Sequence, residues 1–155
     1  MDDFERLLED AKEQYNKVII INEDNAQKYK EYCKKKKIPI YNLSLKLAEL
    51  LKDVPQRDRD QEANDKLKSW LTQVHEEVVG CDNIDYLFSQ EVGKINPIIT
   101  FNYATRKKNK VVVLFVKARR RNNLLIYSEE GSPDYMEMDI SSNEGFVLGW
   151  WEYES

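Results

Sequence analysis

The chain has 155 residues, 41% of them hydrophobic and 34% charged, with a net charge of -4. That is one compact domain, spanning 1–155, with enough apolar side chain for a core and a heavily charged surface. Its longest apolar runs, Val18–Ile21 and Val111–Val116, are too short to cross a bilayer. No cationic segment leads into an apolar stretch at the start, so the expectation is a cytoplasmic protein without a secretory signal. Cys33 and Cys81 cannot make a disulfide framework or a zinc knuckle, and the single histidine, His75, excludes His-rich metal sites.

Phe4, Leu7, Leu8, Ala11 and Tyr15 recur at helical spacing behind Asp2 and Asp3, which predicts a lead helix packed on a sheet. Val18–Ile21 is an unalternating β-branched run, the pattern of a strand buried on both faces. A helix is expected from about Asn25 to Lys36, ending in a lysine run that suits its dipole. Pro39–Leu43 reads as a second strand, with Ser44 capping a helix that carries Leu45, Leu47, Leu50 and Leu51 and stops at Pro55. Gln56–Asp60 reads as an extended connection into a long helix with Ala63, Leu67, Trp70, Leu71 and Val74 inside. His75 falls on that helical pattern, beside Glu76 and Glu77.

Val78–Cys81 is a third strand ending on Asp82, followed by a turn and short helix to Phe88. Pro97–Arg106 is expected to be helical with Ile98, Ile99 and Phe101 inward, and Val111–Val116 is the fourth strand. Leu124–Tyr127, Tyr135–Ile140 and Phe146–Tyr153 read as late strands. Strand–helix alternation through Val116 predicts an α/β fold: a three-layer, P-loop NTPase-like sandwich with a mainly parallel central sheet and late antiparallel strands. Val18–Ile21, Val78–Cys81 and Val111–Val116 are expected to be neighbouring parallel strands.

The chemistry starts after Val18–Ile21. A phosphate-binding loop reads G-x-x-x-x-G-K-[ST], and this chain reads N-E-D-N-A-Q-K-Y from Asn22 to Tyr29. Only the lysine, Lys28, survives. The glycines matter because backbone N–H groups curl around a phosphate only where no side chain blocks positive φ and close approach. Glu23 and Asp24 add negative charge, and Tyr29 cannot replace the small hydroxyl that ligates Mg²⁺. By motif position Lys28 would touch phosphates and Asp82 would hold Mg²⁺ through water. The bland alternatives are a solvated Lys28 and an Asp82 that caps the next helix. Asn83 stands where a water-activating glutamate is needed. No bound cofactor is therefore expected; ATP with Mg²⁺ is the alternative.

Charge is segregated along the chain. Val92–Ser128 holds no acid, whereas Glu129 to the end holds no Lys or Arg. Arg106, Lys107 and Lys108 precede the fourth strand, and Arg119, Arg120 and Arg121 follow it. These clusters suit phosphate contacts to DNA or docking of a partner protein; the alternative is that they answer the acidic tail. Trp150 and Trp151 add a candidate anchor, with adjacent strand residues pointing to opposite faces.

Several segments together resemble BrxF, the small P-loop protein of type 3 bacteriophage-exclusion (BREX) systems. They are Phe4–Leu8, Ile38–Leu45, Val54–Arg59, Val79–Phe88, Val111–Val116 and Leu124–Tyr135, covering most of the chain to Ile140. Val79–Phe88 (V-G-C-D-N-I-D-Y-L-F) is the most specific. The resemblance implies a subunit of a phage-defence assembly, with other defence proteins as partners and a nucleotide-binding ancestry. Members of that family generally carry an intact Walker A loop, which this chain lacks. The expectation is a non-hydrolysing, P-loop-like subunit acting through protein or DNA binding, self-association left open. The alternative is an ATP-binding component or weak ATPase with a remodelled loop.

Overall fold

The computed structural model describes residues 3–151. Helix α1 (Asp3–Lys12) leads into β1 (Val18–Asn22), and α2 (Gln27–Lys35) follows after a single 3₁₀ turn. Then come β2 (Ile40–Asn42), α3 (Leu43–Leu51), α4 (Arg59–Gln73) and β3 (Val78–Asp82). Helix α5 (Pro97–Thr105) precedes β4 (Val111–Val116), β5 (Arg119–Arg121), β6 (Leu124–Tyr127), β7 (Met136–Asp139) and β8 (Val147–Leu148).

Five strands form one sheet in the order β2-β3-β4-β1-β8, and every neighbouring pair in it is parallel. Strand β1 pairs with β4 from Val18↔Val112 to Asn22↔Val116, and β4 pairs with β3 from Val111↔Val78. The three apolar runs are thus adjacent and parallel, as their composition predicts. Successive side chains go to opposite faces. Val18, Ile20, Val112, Leu114 and Val116 join the core under α3, α4 and α5. Ile19, Ile21, Val111, Val113 and Phe115 join the core under α1 and α2. Both faces are covered, which is why β1 and β4 are apolar at nearly every position. Each such side chain, fully buried, contributes about 1.5–3 kcal/mol.

The remaining strands match expectation only in part. Strands β5, β6 and β7 make a separate antiparallel sheet, as expected for the late strands Leu124–Tyr127 and Tyr135–Ile140, and Arg119–Arg121 pairs into it as a further strand. The last strand, β8, is parallel to β1 and closes the main sheet. Residues Glu152 and Tyr153 of the expected final strand lie outside the described residues.

Local chemistry moves several boundaries. Asn42, not Ser44, caps α3, accepting from the Leu45 N–H at 3.0 Å. The Ser44 hydroxyl instead donates to the Asn83 carbonyl and accepts from the Tyr86 N–H, tying α3 to the turn after β3. Gln56–Asp58 is a 3₁₀ turn, not an extended connection. Val74 ends α4 at its C-cap, so His75 stands exposed beyond the helix. On α5, Ile98 and Phe101 are buried while Ile99 is 66% exposed. Among the described residues no helix is long and apolar enough to cross a membrane.

Candidate functional site

In a parallel sheet, ligand chemistry gathers at the carboxyl ends of the strands. Here that edge carries Asn22 at the end of β1 and Asp82 at the end of β3, flanking Val116 at the end of β4. A phosphate loop would leave an open cradle above Asn22. Instead the chain makes a tight turn: the Asn22 side-chain oxygen accepts from the Asp24 N–H at 3.1 Å, and Glu23–Asn25 form one 3₁₀ turn. The amide groups of Asn22 and Asn25 both donate to the Gly149 carbonyl, at 2.9 and 2.7 Å. The turn is stitched to the strand beside it.

Helix α2 starts at Gln27, two residues later than expected, and Lys28 lies inside its first turn. Its ammonium is 5.1 Å from the centroid of the Tyr29 ring and 5.6 Å from that of Trp151. It borders a cavity of about 430 Å³ shared with Asp3, Phe4 and Leu148. Of the expected cofactor pair, Lys28 thus lies by the Tyr29 and Trp151 rings, and Asp82 is met by a different lysine. Tyr29, at the position of the small hydroxyl, is buried and packs edge-on against Phe4.

The lysine at Asp82 is Lys30. Its Nζ lies 3.2 Å from Asp82 Oδ2 and 2.7 Å from Glu23 Oε1, and 5.1 Å from the Phe115 ring centroid. Burial alone would lower the Lys30 pKa. The hydrogen bonds and charges of Glu23 and Asp82 outweigh that and hold it above the ordinary lysine value. The second Glu23 oxygen is buried without a hydrogen-bond partner among the described residues. Asp82 accepts as well from the Asn83 amide at 3.2 Å, and the following 3₁₀ turn has no side-chain cap from it. A helical stripe through Ala26, Tyr29, Lys30 and Cys33 holds the signal for Lys30, a lone cation among inward positions.

These residues do not fit ATP with Mg²⁺. The turn has no glycine, Tyr29 is locked in packing, and Asp82 is engaged by a lysine of its own chain. Among the described residues no group of three or more His, Cys, Asp or Glu could hold a metal ion.

The cationic clusters lie at opposite ends of β4. Arg119 and Arg121 share a concavity with Glu129 and Glu130, and Arg120 shares one with Glu144. The Arg119 guanidinium donates to the Ser128 carbonyl, and that of Arg120 to the Asn122 carbonyl. The triplet thus shares its concavities with acids of the tail. Arg106, Lys107 and Lys108 have different company. With Tyr15, Lys68, Ser69, Thr72 and Tyr103 they line a groove of about 520 Å³ with no Asp or Glu in its wall among the described residues. Trp150 is 1% exposed and donates to the Ala118 carbonyl at 2.9 Å, so it is core and not an anchor. Trp151 is 51% exposed.

Comparison of the chain with protein-family models, with curated proteins and with solved structures returns no match.

Proposed function

We propose that this chain is a non-hydrolysing, P-loop-like subunit of a BREX-type phage-defence system that works by binding partners. One observation carries the first half: the ion pair of Lys30 with Glu23 and Asp82 fills the mouth where a phosphate loop would open. A loop strand between parallel neighbours, followed by a strand ending in aspartate, supports the P-loop-like reading. The sequence resemblance to BrxF supports the phage-defence setting. Without a cradle or a water-activating acid, surfaces are what such a fold has to offer.

Calorimetric titration of the chain with ATP–Mg²⁺ tests the reading; no binding heat up to millimolar nucleotide is the expected result. A second reading draws on the lysine beside Asp82, since an ammonium released from Asp82 can meet a phosphate. In that case ATP binds, and Lys30→Ala removes binding whereas Lys28→Ala does not. Deletion of the gene from a defence system that still excludes phage would count against the cellular setting.

A further inference from the structure

We infer that the groove at the amino-terminal end of β1 and β4 binds single-stranded nucleic acid, with bases on Tyr15 and Tyr103 and phosphates on the surrounding cations. This deepens the reading above and rests on its premise that the chain acts through a surface.

Four elements build the groove: the segment after α1 (Tyr15), α4 (Lys68, Ser69, Thr72), the end of α5 (Tyr103, Ala104) and the turn before β4 (Arg106, Lys107, Lys108). Tyr15 and Tyr103 are 63% and 62% exposed, although both belong among the largest apolar side chains. Each has a cation at its ring: Arg106 Cζ is 4.5 Å from the Tyr15 centroid, and Lys68 Nζ is 4.9 Å from that of Tyr103. The Arg106 Nε donates to the Asn16 side chain at 3.1 Å, which orients the guanidinium and leaves its two terminal nitrogens for a phosphate. Among the described residues Lys68 pairs with one acid, the exposed Asp65 at 3.4 Å, outside the groove wall. One helical turn before Tyr103, the exposed Ile99 extends the apolar path along α5.

The combination decides the partner class. Exposed rings beside cations are what a backbone-tracking, base-stacking site requires, and stacking needs bases whose faces are free. A duplex hides those faces and offers only phosphate. An acidic peptide would use the cations but offers no planar base to stack on the two exposed rings. A volume of about 520 Å³ suits one or two nucleotides of a strand that continues over the surface. The arginine triplet is not part of this site, because it lies at the other end of β4 among carboxylates.

The test is fluorescence anisotropy of the full chain with labelled 20-nucleotide DNA and RNA strands of mixed sequence and with the matching duplex. Both strands, or one of them, should bind better than the duplex; which strand binds better distinguishes the source. Affinity should fall with salt at a log–log slope of about -2 to -3, four cations at about -0.7 each for a single strand. The variant Lys68→Glu/Lys107→Glu/Lys108→Glu should weaken binding at least roughly a hundredfold. Tyr103→Ala should weaken it about tenfold, the loss of one stacked base. Arg119→Glu/Arg121→Glu should bind like the parent, and circular dichroism should show all three variants folded. No anisotropy change with either strand at low salt would overturn the inference, as would equal affinity for duplex or loss of binding only in Arg119→Glu/Arg121→Glu. ATP binding is read separately, so an ATP-inert chain that ignores both strands sinks this inference and leaves the non-hydrolysing reading standing.

Discussion

Lys30 and Asp82, 52 positions apart, meet at 3.2 Å across the carboxyl edge of the sheet and join α2 to the end of β3. The lysine side chain is 29% exposed and the aspartate 16%, so water screens this pair less than a surface bridge. It holds three acid–base partners in register, since Glu23 accepts from the same ammonium.

Replacing Lys30 with methionine should therefore leave two carboxylates facing one another and cost about 1–3 kcal/mol at neutral pH, read by urea unfolding. The pH dependence has a definite sign. A lysine whose folded pKa is raised contributes stability fully below the unfolded value of 10.5 and loses it as pH climbs through the folded value. The gap between parent and Lys30→Met should be flat towards neutral pH and shrink above about 10.5. Lys110 works in the opposite direction, its pKa lowered chiefly by burial, but it is common to both proteins and cancels in the difference. A gap unchanged through that range would mean that the pair does not stabilise the fold through charge.

Gly149 has φ +97°, and a Cβ there would meet the Asn22 Cβ at 2.9 Å and the Asn22 nitrogen at 3.2 Å. Gly149→Ala should lower stability by about 2–3 kcal/mol, from strain at positive φ and from displaced backbone. The shift should appear as a lower urea midpoint. If the midpoint holds, the stitch between β8 and the turn after β1 is looser than its hydrogen bonds indicate.

The two adjacent tryptophans should separate cleanly. Trp150→Ala should cost about 3–5 kcal/mol as a large buried side chain lost together with its hydrogen bond. Trp151→Ala should change stability by less than about 0.5 kcal/mol. Similar losses in both variants would contradict the opposite burial of the pair.

Both cysteines are buried, and burial pushes the Cys33 thiol up to about 11 and the Cys81 thiol higher still. Neither should react with an aromatic disulfide reagent at pH 8 in the native state, and both should react at once in guanidinium. Rapid labelling of either thiol in native protein would mean that the core opens locally.

Sequence alone determined the layered parallel sheet. Val18–Ile21 and Val111–Val116 are apolar without alternation, and only a strand covered on both faces has use for that pattern. It determined, too, that the turn after the first strand has no glycine with which to wrap a phosphate. Which lysine faces Asp82 was decided by tertiary structure. The motif spacing pointed to Lys28, but Lys28 lies by the Tyr29 and Trp151 rings, whereas Lys30, on the inward stripe of α2, reaches Asp82. The cationic clusters divided in the same way. Their charge is plain in the sequence, yet only folding paired Arg119–Arg121 with the strand leading into Glu129 and Glu130 and brought Tyr15 and Tyr103 beside Arg106. Periodicity reports which side of an element is buried; contacts between residues distant in the chain depend on turn lengths and strand order, which no local pattern encodes.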